Sequence, residues 1–349
     1  MPKRYLSKLL FTLICGISIS NGANLVSALL KEDQETLLTQ RKFTCLPDAG
    51  RASYKALMEQ NPYHIDEAHF SKYMMATAAT PSSVDLSPDF PHPFNQDILG
   101  SCTASALISV LLYDMKKKGT VNPEMKSVLY LYYWERFLEG TVNYDTGASL
   151  SDGIAALKKF GVCSESLWPY QIINYMVRPP ERTYADAIKF KNQLDPSRIS
   201  SVSQKLSVMK TLLSRGSPFV GGIKTYESFE CKDVEHSGIV SMPQKNERSK
   251  GSHAVVFAGY NDEINGGSFL ILNSWGPNWG TSFDGKNPTK GYFWLPYEYA
   301  TNHRLAHDFW TFNNLPLLEN ESSPEKDSCF KNLFKKLSKK RKGVYLPSI

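Results

Sequence analysis

An α+β fold, with a helical lobe set against a sheet lobe, is what this sequence predicts, and a change of periodicity near Gly216 is the main reason. Before that glycine, apolar residues recur at helical spacing. After it they gather in short β-rich runs separated by Gly, Pro and Asn. Helices first and strands second segregate into separate layers, and the groove between two such layers is a natural ligand site. With 349 residues, 42% of them hydrophobic and 21% charged, the chain can bury a substantial core.

The elements follow in order. Residues 1–23 read as a secretory signal: a basic MPKRYLSK, an apolar LLFTLICGISIS, then small residues in SNGA. The apolar run falls short of the ~20 residues a spanning helix needs, so the protein is expected to be exported. Residues 24–80 hold the amphipathic pieces LVSALL and RASYKALMEQ and end in MMATAATPSS, a stretch open to proteolysis. Residues 81–313 form the body. A polar linker (314–330) and a basic tail (331–349) complete the chain. The tail carries seven positive charges and the first eight residues carry three, so 24–330 are left with a net charge of −4. That mildly acidic balance gives no argument for nucleic-acid binding by the fold itself, and no nucleic-acid partner is expected. In the tail, Phe330, Leu333, Phe334 and Leu337 recur at helical spacing among lysines, which suits weak contact with an anionic membrane surface.

Within the body, Ala104, Leu107, Ile108, Leu111, Leu112 and Met115 form one stripe, predicting a helix from Cys102 to Lys118 that ends at Gly119. Further helices are expected at Ser127–Glu139 and at Leu150–Phe160, the latter closed by Gly161. PFVGGI, HAVVFAGY, SFLILNSW and GYFWLPY are the strand candidates.

The chemistry centres on Cys102. Signal removal leaves five cysteines, Cys45, Cys102, Cys163, Cys231 and Cys329, and an odd number in an oxidising compartment leaves at least one thiol free. The sequence does not choose among the pairings of the others. At a helix start, the Cys102 sulfur would sit near the positive end of the dipole, which favours a thiolate. A useful nucleophile also needs a base poised near neutral pH, and that is a histidine. His253, after two small residues in GSHAVVFAGY, is placed at the start of a strand with its ring accessible. Asn273, at the end of the next β-run, can orient the imidazole, and Trp275 can shield their hydrogen bond from water. Gln96 supplies an amide that can join the Cys102 N–H in stabilising an oxyanion. No Cys-x-x-Cys or His-Glu-x-x-His spacing occurs, so neither a zinc site nor any cofactor is implied.

The ordered set Gln–x5–Cys, Gly-x-His and Asn-Ser-Trp-Gly resembles that of the papain-like cysteine peptidases. The segments QDILGSCTASAL, GVCSESLWPY, GSHAVVFAGYN and LILNSWGPNWG carry the resemblance over roughly residues 82–313. It implies a papain-like two-lobed fold with the active site in the cleft. It implies Cys102 as nucleophile, His253 as general base and then acid, Asn273 as its orienter and Gln96 in the oxyanion hole. Gly147 and Ala148 would pair with substrate backbone, Gly222 and Ala254 would wall the main specificity pocket, and His307 would form its base. Polypeptides are the implied substrates. The amphipathic pieces and small-residue exit of 24–80 themselves suggest a pro-segment, an intramolecular inhibitor that covers the cleft of a zymogen until cleaved, with a permanently attached decoration as the alternative. The sequence departs from animal and plant members at Leu99 and Thr103, where they carry a cysteine and a tryptophan, and GSCTA is similar to the bacterial branch. Residues 24–80 lack the long interrupted helix typical of the family's pro-segments. No His-His pair of an exopeptidase loop is present, which points to endopeptidase action. Two other classes share these residues: a cysteine-dependent acyl transferase, and a catalytically silent binding protein.

Overall fold

The computed structural model describes residues 43–48, 52, 55, 80–199, 206–286 and 290–312. The signal, most of the 24–80 segment, the linker, the basic tail and Cys329 lie outside the described residues. In chain order the elements are β1 (Cys45–Leu46), β2 (Ser83–Asp85), α1 (Cys102–Lys117), α2 (Val128–Glu139), β3 (Ala148–Ser149), α3 (Leu150–Phe160) and α4 (Tyr184–Ala187). There follow β4 (Pro196–Ile199), α5 (Leu206–Ser214), β5 (Phe219–Tyr226), α6 (Lys232–Ser237), β6 (Ser249–Asn261), β7 (Ser268–Leu272), β8 (Tyr292–Pro296), α7 (Tyr297–Thr301) and β9 (Ala306–Phe312). The α+β reading holds: α1–α3 form a helical lobe, and an antiparallel sheet forms the other.

Local chemistry sets the helix limits. The Ser127 hydroxyl caps α2 by accepting the Tyr130 N–H at 3.1 Å, and Gly140 at φ +76° ends that helix in the left-handed region. Ser149 caps α3 in the same way, accepting the Asp152 N–H at 3.1 Å. Helix α1 differs from its sequence pattern. The pattern shows one apolar stripe, yet every residue from Cys102 to Tyr113 is buried. The cause is position: α1 is packed between α2 and α3 on one side and β5 and β6 on the other. Its polar faces survive burial because Ser105 and Ser109 donate their hydroxyls back to the Ser101 and Ser105 carbonyls, at 3.0 and 2.8 Å. Leu107 and Leu111, at its centre, are the kind of side chain whose truncation to alanine costs about 2–5 kcal/mol.

The sheet runs β4-β9-β5-β6-β7-β8, with β2 also paired to β6. Strand β6 is its spine. Its first part pairs with β5 up to Phe257, and its last residues pair with β7 and β2. A second, two-stranded sheet joins β1 to β3 in parallel, with Cys45 opposite Ala148 and Leu46 opposite Ser149. This small sheet carries the 43–48 segment to the mouth of the cleft. Among the described residues, no helix is long and apolar enough to cross a membrane.

Candidate active site

Cys102 is the first residue of α1, so its fully buried sulfur sits at the N-terminal end of that helix. The Ala254 N–H, one residue beyond His253, points at Cys102 Sγ at 3.5 Å and brings the sheet lobe to the thiol. Gln96 is buried beside it and held at both ends of its amide. Its Nε2 donates to the Leu99 carbonyl at 2.7 Å, and its Oε1 accepts the Ser274 hydroxyl. Its own N–H reaches the Ser274 carbonyl at 2.9 Å. One amide hydrogen is thus committed to Leu99 while the carbonyl end is fixed, which orients the second amide hydrogen without rotamer freedom.

His253 lies five residues into β6 rather than at its start, and its ring is buried rather than accessible. The earlier start comes from β5, which pairs with β6 back to Ser249, and the burial comes from the 43–48 segment, where Thr44 makes a parallel bridge to Ser252 and Phe43 covers the ring. His253 Nε2 donates to Asn273 Oδ1 at 2.8 Å, and the Ser274 N–H shares that oxygen at 2.9 Å. With Nε2 committed, Nδ1 is the nitrogen on the side of the imidazole able to exchange a proton with a thiol. Trp275 stacks on the imidazole, with centroids 5.3 Å apart and planes 28° apart, and closes off the His253–Asn273 bond.

Residues 43–48 occupy the cleft. The Thr44 hydroxyl donates to the Gly100 carbonyl at 3.2 Å, and a Thr44 backbone hydrogen bond reaches Cys102 Sγ. Gly147, at φ +75°, makes room: a Cβ there would stand 1.9 Å from the Thr44 carbonyl oxygen. Asp48, fully buried, anchors the far end. Its carboxylate accepts the Ser151 N–H at 3.0 Å and the Trp310 indole N–H at 2.9 Å, and its own N–H donates to Asp308 at 2.9 Å. The electrostatic consequence reverses the sequence expectation of a thiolate. Burial pushes the Cys102 thiol up to about 12, against the N–H groups of Ala254, Thr103 and Thr44 that pull it down. Burial likewise raises the Cys45 thiol, and the neighbouring Cys102 adds to the effect. Cys45, Cys102, Cys163 and Cys231 are all free thiols, which agrees with at least one free thiol but does not single out Cys102.

The expected pocket residues fall together. Ala254 and Gly222 are direct partners across β5 and β6, and Gly222 is also opposite His307 on β9. A Cβ on Gly222 would lie 2.5 Å from the His307 ring, so glycine there admits the imidazole. His307 does not stand alone. Its Nδ1 is 2.8 Å from Asp308, and Arg198 reaches the other Asp308 oxygen at 2.8 Å. Burial opposes the Asp308 charge, but the bonds from His307 and the Asp48 N–H, with the charges of His307 and Arg198, hold it below the usual carboxylate range. Gly147 and Ala148 form the edge against which Thr44 and Cys45 lie.

Sequence reasoning missed several supporting residues. Asp145 accepts both the Tyr132 hydroxyl and the Gly100 N–H, at 2.5 and 3.0 Å, and Tyr132 in turn accepts the Gly147 N–H at 3.1 Å. One carboxylate so ties the turn before the nucleophile to the Gly147 edge. Asp48, Asp308 and Ser274 were also unmarked. Only Ser274 had a local signal, its place beside Asn273.

Similarities to known proteins bear on this arrangement. The model of the papain family cysteine proteases matches residues 145–302, which include His253 and Asn273. An uncharacterized peptidase C1-like protein, L477, of Acanthamoeba polyphaga mimivirus is 35% identical over 232 residues, 65% of this chain and 71% of the viral protein. The crystal structure of xylellain, a cysteine protease from Xylella fastidiosa, is 33% identical and superposes with a TM-score of 0.64 over 79% of this chain and 98% of xylellain. At 16% identity and a TM-score of 0.54, procathepsin B S9 from Trypanosoma congolense shares the fold over 79% of this chain and 88% of its own. Sequence and architecture agree: the chain belongs to the papain family and is a cysteine-type peptidase.

Proposed function

We propose that the protein is an exported endopeptidase, made as a zymogen, that cleaves peptide bonds through a thioester on Cys102. The observation that supports the reading is the Ala254 N–H, next to His253 in the chain, 3.5 Å from the Cys102 sulfur, with His253 itself bonded to Asn273 at 2.8 Å. In the active form, His253 takes the Cys102 proton and the thiolate attacks the carbonyl carbon. The Cys102 N–H and the second amide hydrogen of Gln96 bind the oxyanion. His253 then protonates the leaving amine, and the neutral imidazole next takes a proton from water as that water attacks the thioester carbonyl and expels the Cys102 thiolate with the acid product. Asn273 holds the ring in the tautomer with its proton on Nε2.

The zymogen reading is supported by the place of Thr44, whose backbone hydrogen bond reaches the Cys102 sulfur while its hydroxyl is tied to the Gly100 carbonyl at 3.2 Å. With 43–48 in place the thiol stays neutral, so removal of the segment both opens the cleft and restores the thiolate. Export rests on residues 1–23 and membrane contact on the tail. Co-sedimentation of the tail with anionic vesicles, lost as salt is raised, is the expected result, and no co-sedimentation at any salt refutes that contact.

The test is turnover of a fluorogenic peptide by the processed protein. Cys102→Ala should abolish it, His253→Ala should lower it by several decades, and Asn273→Ala by less. Full activity in Cys102→Ala refutes the mechanism. Rising yields of an amide product with an added amine, at the expense of hydrolysis, would reassign the enzyme as an acyl transferase.

A further inference from the structure

Beneath the start of α1 lies a carboxyl group that the mechanism above does not use. Glu135, on α2, is fully buried. Its Oε2 accepts the Thr103 hydroxyl at 2.8 Å, and Thr103 is the residue immediately after the nucleophile. Among the described residues its Oε1 has no hydrogen-bond partner. That oxygen is fitted against α3, where a Cβ on Gly153 would come within 2.5 Å of it. A glycine inside a helix costs roughly 0.5–1 kcal/mol relative to alanine, so α3 gives up stability where the carboxyl sits. A buried carboxylate with an unsatisfied oxygen is expensive, whereas a neutral carboxylic acid in the same place is tolerable.

We infer that Glu135 is a positioning residue for Cys102, a neutral carboxylic acid that fastens the first turn of α1 through Thr103 and leaves the thiolate unopposed. The inference rests on the proposed role of Cys102 as nucleophile. Two further facts agree with it. Burial pushes the Glu135 carboxyl up to about 8, the Thr103 bond and Arg136 lowering it and Asp152 raising it. Once ionised, Glu135 raises the Cys102 thiol. The charged or titratable groups around the carboxyl are Asp152 on α3, Arg136 on its own helix, Cys102 on α1 and, while the cleft is covered, Cys45 on β1. The proton is therefore retained through the neutral range and lost above it, when the negative charge begins to oppose the thiolate. The alkaline fall of activity then contains a component that belongs to Glu135.

The experiment measures kcat/KM on a fluorogenic peptide between pH 5 and 10, using the full chain converted to its active form by limited proteolysis. Glu135→Gln keeps an acceptor for Thr103 and cannot ionise. Its ratio to wild type should be near one at pH 5–7 and climb through pH 8 to about tenfold or more, since a like charge within about 12 Å costs about 1.4 kcal/mol or more at an effective dielectric near 20. Thr103→Val removes a bond that lowers the carboxyl pKa, so the same component should move to higher pH. Infrared difference spectra give a readout independent of turnover and also serve if Glu135→Gln fails to fold: the wild type should lose a protonated-carboxyl band as pH rises through 8. A flat Glu135→Gln ratio, an unmoved component in Thr103→Val or no such band in the wild type overturns the inference and leaves the peptidase assignment intact. An inactive wild type, with Cys102 unlabelled by thiol reagents, overturns both.

Discussion

Raising the pH should loosen the grip of residues 43–48 on the cleft, and Asp48 sets how far. In the covered state burial and the nearby Asp308 charge push the Asp48 carboxyl from 3.8 to about 6. Once the segment leaves, Asp48 is in water and returns to the ordinary range near 3.9. Between these two values the covered form holds a proton that the open form has lost. Covering is therefore strongest below about pH 4, weakens as pH rises, and is weakest above about pH 6. A difference of about 2 pKa units is worth about 3 kcal/mol, or roughly a hundredfold in the covering equilibrium. Asp308, held below the carboxylate range, keeps its charge across this window. Asp48→Asn removes the titration while keeping one acceptor for Ser151 or Trp310. The assay is Cys102 labelling of the full chain by 2,2′-dipyridyl disulfide, which remains reactive in acid. The ratio of wild-type to Asp48→Asn labelling should rise at least tenfold from pH 4.5 to 7.5. A ratio that is constant or falls with pH refutes the clasp.

Two other perturbations probe the cleft. Gly147→Ala would drive a Cβ to 1.9 Å from the Thr44 carbonyl oxygen at a backbone φ of +75°, so it should both lower the melting temperature and speed Cys102 labelling of the full chain; unchanged labelling would show that Thr44 does not lean on this edge. His307→Ser removes the imidazole seated over Gly222 and 2.8 Å from Asp308. A peptide library should then show an altered preference at the second residue before the cleavage point, and an unchanged profile excludes His307 from the pocket.

Much of the site is legible in the sequence because its chemistry is marked locally. Cys102 stands where a helical stripe begins, His253 inside an apolar β-run, and Asn273 at the end of the next. The strand partners that bring them together follow from two short antiparallel neighbours. What is not legible depends on contacts between distant segments. Thr103 and Glu135 are on different helices and neither breaks its local pattern. The all-round burial of α1 cannot be read from its stripe, since it comes from being enclosed between two lobes. Strand β1 has two residues, too few for any periodicity, and exists only because Ala148 and Ser149 offer it an edge. The ring exposure expected for His253 and the thiolate expected for Cys102 both fail for that reason: a segment with no local signature covers them.

The most direct test of the central claim is mass-spectrometric mapping of an epoxide thiol inhibitor on the processed chain. The account predicts one adduct, on Cys102, with loss of peptidase activity in step with labelling and far slower labelling in His253→Ala. An adduct on Cys163 or Cys231 with Cys102 unmodified, or full activity after complete Cys102 labelling, would contradict it.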